Sequence, residues 1–264
     1  MNVVQDFSVQ LDPRWRRYLA GNGKLEQGDS TLRCVTESAT ARRYSDAQLD
    51  DYQGLPRRRF PWRPPLRLTV RARFSHPPAD GQLGLRGTAG FGFWNDPFVM
   101  TGGRVPALPR AIWFFYASPP SNMQLDLATP GYGWKAAAID ATRPPALPLA
   151  CLAPLAVPLM NLRPLYRALW PPIQRALRIR EARLNLDMTG WHTYVLEWGA
   201  KRANFSVDGQ PVLENAPSPR GPLGFVMWLD NQYMAVAPWG RFAWGLLDIP
   251  GRQWLEAEWL SIET

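Results

Sequence analysis

Trp191-His192-Thr193-Tyr194-Val195-Leu196-Glu197-Trp198, with Ala203-Asn204-Phe205-Ser206-Val207-Asp208-Gly209-Gln210-Pro211-Val212 just after it, decides the fold. Ala203, Phe205 and Val207 alternate with Asn204 and Ser206, which is the period of a half-buried strand. Asp208-Gly209 supplies the positive-φ residues that a tight hairpin requires. The same period recurs outward from this stretch. Leu66 to Phe74 alternates apolar and polar side chains. Trp254 to Glu263 sets Leu255, Ala257 and Trp259 on one face and Glu256 and Glu258 on the other. Leu32 to Thr36 reads as another strand, and Asp80-Gly81 as another hairpin turn. Arg57 to Pro65 is too rich in proline for a central strand and reads as an irregular lead into Leu66. Strands separated by turn signals, with little helical periodicity, predict an all-β chain, a jelly-roll sandwich of two antiparallel sheets.

Residues 143–182 break this pattern. They hold eight prolines, and Leu and Ala fill much of the rest. Leu162, Leu165, Leu169, Ile173 and Leu177 recur at three- and four-residue spacing, with Arg163, Arg167 and Arg178 on the opposite side. That spacing predicts one amphipathic helix or two short ones. Pro171 and Pro172 either open a second helix or kink a continuous one. The stretch is too interrupted to span a bilayer. It is expected as a short helical insertion within one sandwich domain of residues 1–264. Its apolar stripe then packs on the domain surface, closes over a cleft as a lid, or touches a membrane surface peripherally.

A chain of 264 residues is long for one domain, yet sandwiches reach this size as single units. Aromatic residues make up 12% of it, with 13 Trp, which calls for a broad core or a stacking surface. Cys34, Cys151, His76 and His192 are too few for a disulfide framework or a metal cluster, so no metal and no cofactor is expected. Of the formal charge of +8, most sits between Ala141 and Arg180, where six Arg meet no Asp or Glu. A solvated basic face is the plain reading. Nucleic acid is not an expected partner, because no helix-turn-helix, zinc-finger or RNA-binding pattern accompanies the charge. Met1 to Phe7 lacks a basic run followed by an apolar one, which makes a cytoplasmic location the expectation. Oligomeric state leaves no signal.

The spacing of His192-Thr193-Tyr194, Glu197-Trp198, Phe205 and Val207-Asp208-Gly209 resembles a signature near the C-terminal end of glycoside hydrolase family 16. Gly87 to Trp94 is similar to that family's strand ending in Phe-Trp, and Trp254 to Glu263 to its closing strand. The resemblance runs from about Leu66 to Glu263 without the insertion, and implies a concanavalin A-like sandwich with a sugar-binding cleft. It also implies a catalytic strand, E-x-D-x-x-E or E-x-D-x-E, directly after the Phe-Trp strand. One carboxylate attacks the anomeric carbon and the other protonates the leaving oxygen, about 5–5.5 Å apart in retaining enzymes. Here the matching strand is Arg110 to Tyr116. Ala111 stands for the first Glu, Trp113 for the Asp, and Tyr116 or Phe115 for the second Glu. Methyl, indole and phenol groups cannot perform this chemistry, so conventional glycosidase activity is not expected.

Strand alternation, laid on the cleft that the resemblance implies, says which side chains share its face. Trp94 shares a face with Asp96, Ala111 with Trp113, and Trp228 with Asp230. The expected ligand-binding residues are Trp94, Asn95, Trp113, Trp228, Asn231 and Tyr233. The expected catalytic groups are Asp96, Asp230 and Tyr116. Each Trp has the inter-sheet core as its competing place, and each of these Asp a strand-end turn. Glu197 and His192 read as framework, and Lys135 as an exposed loop residue. Three functions compete. The favoured one is an aromatic cleft that binds a largely apolar small molecule, such as a lipid, an isoprenoid or an aromatic metabolite. The second is acid–base chemistry (isomerase, cyclase or hydratase) in the same cavity, by an Asp whose pKa is raised through desolvation. The third is a carbohydrate-binding protein, or a glycoside hydrolase with relocated carboxylates.

Overall fold

A computed structural model describes residues 2–264 apart from 29, 80–82, 99–104, 147–158, 160 and 238–240. Seventeen strands are assigned among the described residues. The first large sheet holds β1 (Val3–Asp6), β3 (Gly23–Gly28), β4 (Thr31–Ala39), β6 (Leu66–Phe74), β11 (His192–Trp198), β12 (Arg202–Val207), β13 (Gln210–Pro217) and β17 (Ile249–Glu263). Its strand order is β13-β12-β11-β6-β17-β4-β3, with β1 added on β17. The second holds β2 (Arg16–Ala20), β5 (Asp46–Asp50), β7 (Thr88–Trp94), β8 (Arg110–Ala117), β9 (Gly133–Asp140), β10 (Arg180–Arg183) and β14 (Gly224–Asp230). Its order is β10-β9-β8-β7-β14-β5-β2. β15 (Gln232–Ala237) and β16 (Arg241–Leu246) form a separate hairpin. All the ladders are antiparallel, and the architecture is the all-β jelly-roll sandwich that the strand pattern predicts.

One face of β11 and β12 lies in the inter-sheet core. Tyr194, Leu196 and Trp198 on β11 are fully buried. Tyr194 meets Phe91 at 5.2 Å and Phe114 at 5.1 Å, both near edge-on, and Trp198 meets Phe93 at 5.4 Å. Three rings of the second sheet are thus keyed into two of the first, each pair worth about 0.5–1.5 kcal/mol beyond its buried area. Asp208 (φ +50°) and Gly209 (φ +77°) form the two-residue loop between β12 and β13, with Val207 opposite Gln210. His192 is framework as expected: Nδ1 lies 2.6 Å from Asp208 Oδ2, and Nε2 lies 2.8 Å from the Asp187 carbonyl.

Several local expectations need correction. The final strand has a register shift between Ala257 and Trp259. A bulge of this kind swaps the faces beyond it. Leu255 and Ala257 are therefore followed inward by Leu260 and Ile262, and Trp259 is only half-buried on the other side. Lys135 is not an exposed loop residue, since it lies within β9 and is fully buried. β2, β3 and β5 are strands for which the sequence pattern gave no expectation. The Asp80-Gly81 turn falls outside the described residues. So does residues 147–158, the greater part of the proline-rich half of the insertion. The described part of the insertion holds a short 3-10 turn at Pro144–Ala146, one helix, α1 (Arg163–Ala176), with Pro171 and Pro172 inside it rather than opening a second, and the start of β10. Trp170 and Ile173 of α1 pack with Leu177 on Leu125, Leu127, Ile139 and Ile179. No described helix is long and apolar enough to cross a membrane.

Candidate functional site: an aromatic cleft over the second sheet

The outer face of the second sheet floors a cleft of about 740 Å³. Its floor follows from register. Trp228 on β14 lies opposite Gly90 on β7, which lies opposite Phe115 on β8. One step along, Val226 lies opposite Gly92, and Gly92 opposite Trp113. Trp94 closes the row against Ala111. Four rings join over this floor. Trp113 stacks on Phe115 at 5.3 Å with planes 20° apart, and meets Trp228 at 5.3 Å and Trp94 at 5.8 Å. The two glycines make room for them. A Cβ on Gly90 would come within 3.0 Å of the Trp228 ring and 2.3 Å of the Phe114 carbonyl. A Cβ on Gly92 would meet Trp113 at 2.5 Å.

The walls are mostly apolar as well. Pro97, Phe98 and Leu108 come from the loop after β7, Met123 and Leu125 from the loop after β8, and Met234 and Val236 from β15. Leu169, Trp170, Ile173 and Leu177 contribute a wall from the insertion. Two of the indole N–H groups are already spoken for: Trp94 Nε1 donates to Tyr52 Oη at 2.8 Å, and Trp228 Nε1 to Thr88 Oγ1 at 3.0 Å. What these indoles offer a ligand is ring face. Trp113 is the only one of the four rings that is not buried.

Polar groups sit at the two ends. At one end Asp230 lies directly across from Asp46 on β5, and Gln48 lies across from Trp228. Asp230 Oδ1 accepts from Thr88 Oγ1 at 2.8 Å and from the Gln232 amide at 3.0 Å. Burial raises Asp230 to a pKa of about 6, with these donors pulling it back. Asp46 is raised well above the carboxylate range, by burial first and by the Asp230 charge second. Burial and the same two carboxylates raise the Tyr44 phenol well above its usual value. At the other end, four strand spacings or about 19 Å away, Lys135 Nζ donates to Glu181 Oε1 at 3.0 Å and to the Met123 carbonyl at 3.1 Å. Burial raises the Glu181 pKa while the Lys135 charge opposes the shift.

The expected site residues divide cleanly. Trp94, Trp113, Trp228 and Asp230 line the cleft together. Tyr116 does not: it points into the inter-sheet core, where its hydroxyl donates to the Leu85 carbonyl and accepts from the Ala79 amide. Phe115 is its cleft-facing neighbour. Asp96 is buried in the turn after β7 with φ +47°, so the alternation that tied it to Trp94 ends before it. Asn95 braces the same turn, donating to the Leu108 carbonyl and accepting from the Arg110 amide. Asn231 is fully buried at a corner, donating to the carbonyls of Thr40, Arg43 and Leu247. Tyr233 lies on β15 opposite Gly245 and does not line the cleft. Asp46, Gln48 and Glu181 were missed. The signal for the first two was Asp46-Ala47-Gln48-Leu49-Asp50, an alternation with its polar side on the cleft.

No family model matches this sequence, and no curated protein matches it. Solved structures do resemble the fold. A β-1,3-1,4-glucanase (lichenase) from a mouse hindgut metagenome aligns with TM-score 0.52 at 13% identity, covering 99% of this chain and 98% of its own. The β-glucanase of Bacillus licheniformis aligns with TM-score 0.52 at 10% identity, covering 100% and 98%. An immunostimulatory antigen and pseudo β-1,3-glucanase of Mycobacterium tuberculosis aligns with TM-score 0.50 at 12% identity, covering 99% and 98%. The chain therefore has the concanavalin A-like fold of glycoside hydrolase family 16 enzymes, as the hairpin motif implied. On the strand where the resemblance places that family's carboxylates, Ala111, Trp113 and Phe115 face the cleft.

Proposed function

We propose that the cleft binds a largely apolar small molecule, held by stacking on Trp94, Trp113, Phe115 and Trp228. The observation that carries this reading is the joined platform of four rings under walls of Leu, Ile, Met and Pro. Burial at ~25 cal/mol per Å² supplies the gross affinity, so roughly 300 Å² of apolar ligand surface corresponds to ~7.5 kcal/mol before the cost of immobilisation. Asp46 and Asp230 give such a ligand a polar end to meet. A carboxyl held near pKa 6 can pass a proton near neutrality, which suits isomerisation, cyclisation or hydration beside indole faces that stabilise developing positive charge. Titration with isoprenoids, fatty acids and polycyclic aromatics, read by tryptophan fluorescence, tests the binding. Silence across the whole panel would remove it.

A second reading, a carbohydrate-binding protein or a glycoside hydrolase with relocated carboxylates, has its own support. The fold comparisons favour it over the first, because the structures named above are glucanases or a pseudo-glucanase. Indole faces also stack on sugars, and Asp46 and Asp230 are two carboxyls on neighbouring strands of the cleft floor. A glycan array and a β-glucan hydrolysis assay decide between the two. Reducing-end release that disappears in Asp230→Asn would install the second reading in place of the first.

A further inference from the structure

We propose that the mouth of this cleft docks on an anionic lipid bilayer, through the leucine flank of α1 together with Phe98 and Trp244. Leu162, just before α1, and Leu165 and Leu169 within it fall on one side of the helix and are 59%, 37% and 39% exposed. Leu169 also lines the cleft, so this flank continues the cleft wall outward into solvent. Phe98 lines the cleft from the loop after β7 and is half exposed. Trp244 on β16 is 78% exposed and lies directly opposite Met234, which lines the cleft. Directly opposed residues of an antiparallel pair share a face. Three segments distant in sequence thus set large apolar side chains around one opening. Such a grouping marks an interaction surface rather than scattered exposed residues.

Charge selects the partner. Arg167 and Arg175 lie on the side of α1 away from the leucine flank, and both are exposed, as are Arg178 and Arg180 beyond its end. The sequence from Ala141 to Arg180 carries no Asp or Glu, and the whole chain has a net charge of +8. A helix with leucines on one side and arginines on the other lies in the plane of a membrane interface, its cations among lipid phosphates. α1 has 14 residues, which suits lying flat rather than crossing. A second copy of the chain is a poor occupant, because a two-fold contact would set this acid-free basic segment against itself. Docking through this flank does not depend on what the cleft binds.

Flotation with vesicles tests it. The wild-type protein is expected to float with mixed phosphatidylcholine–phosphatidylglycerol vesicles at low salt, to be released as salt rises, and to stay behind with pure phosphatidylcholine. Leu162→Ser/Leu165→Ser, two positions outside the cleft lining, should lower the bound fraction about tenfold. The same variant should keep the wild-type fluorescence response to isoprenoids, fatty acids and polycyclic aromatics in vesicle-free solution, which separates failure of docking from failure of the proposed cleft binding. Arg167→Ser/Arg175→Ser should lose the preference for phosphatidylglycerol. Should a variant not fold by circular dichroism, the lipid and salt dependence of the wild type decides. Absence of wild-type flotation at low salt overturns the proposal, as does flotation that ignores both substitutions. A dimer seen by light scattering, broken by the leucine substitutions in a protein that does not float, overturns it in favour of a second copy.

Discussion

Strand β8 is aromatic on both faces, and the two faces do different work. Inward, Phe114 meets Tyr194 at 5.1 Å and Phe205 at 5.3 Å, rings that belong to the opposite sheet. Outward, Trp113 and Phe115 meet each other, Trp94 and Trp228, all from their own sheet. The inner rings are closed off by a second layer of backbone. The outer rings are walled by loops and α1, and the wall leaves a cavity. An aromatic strand is therefore no signal of a site by itself. The marker is the pair of glycines on β7, which clears space on the cleft side only.

Substitutions on the two faces should separate them. The largest effect is expected inward: Phe114→Ala should destabilise by about 3–5 kcal/mol in urea unfolding, because the sheets cannot close the void. The carboxyl end comes next. Asp230 titrates near 6 in the fold against an ordinary 3.8, so its ionisation disfavours folding. That penalty is absent below about pH 4 and complete above about pH 6. Asp230→Asn removes it, and the variant should gain on the wild type by about 2–3 kcal/mol across that window. A variant whose unfolding free energy keeps a constant offset from the wild type between those pH values would place Asp230 in an ordinary solvated setting. Gly90→Ala should cost about 1–3 kcal/mol, since its Cβ meets backbone that cannot yield, and should disturb the seating of Trp228. Trp113→Ala should have the smallest effect on stability, about 1 kcal/mol, while removing the centre of the stacking surface.

How much of this was legible depended on whether a strand advertised its buried face. Ala203, Phe205 and Val207 with the Asp208-Gly209 turn were readable, because strand alternation and turn chemistry are both local. Trp94, Trp113 and Trp228 were placed in the cleft by alternation laid on the family resemblance. Alternation also failed at identifiable points. It does not survive the positive φ at Asp96 or the bulge between Ala257 and Trp259. At Tyr116, the candidate aligned with the longer catalytic motif, strict alternation would have chosen Phe115 instead. β5 was missed because Asp46, Gln48 and Asp50 make a five-residue strand look like loop, although Ala47 and Leu49 are its core side. Lys135 was misjudged because a lysine after a glycine-rich turn suggests a surface. Its partner Glu181 lies 46 residues away, beyond the insertion, where no local pattern could announce it.

The proposed binding surface is the set of four outward rings. Its most direct test is a paired fluorescence titration of wild type and Trp113→Ala, with one series of apolar ring compounds and one of β-glucan oligosaccharides. Saturable quenching by the apolar series in the wild type, weakened at least about tenfold in the variant and matched by no response to the oligosaccharides, is the expected result. Quenching by the oligosaccharides alone, or apolar binding that Trp113→Ala leaves intact, would contradict it.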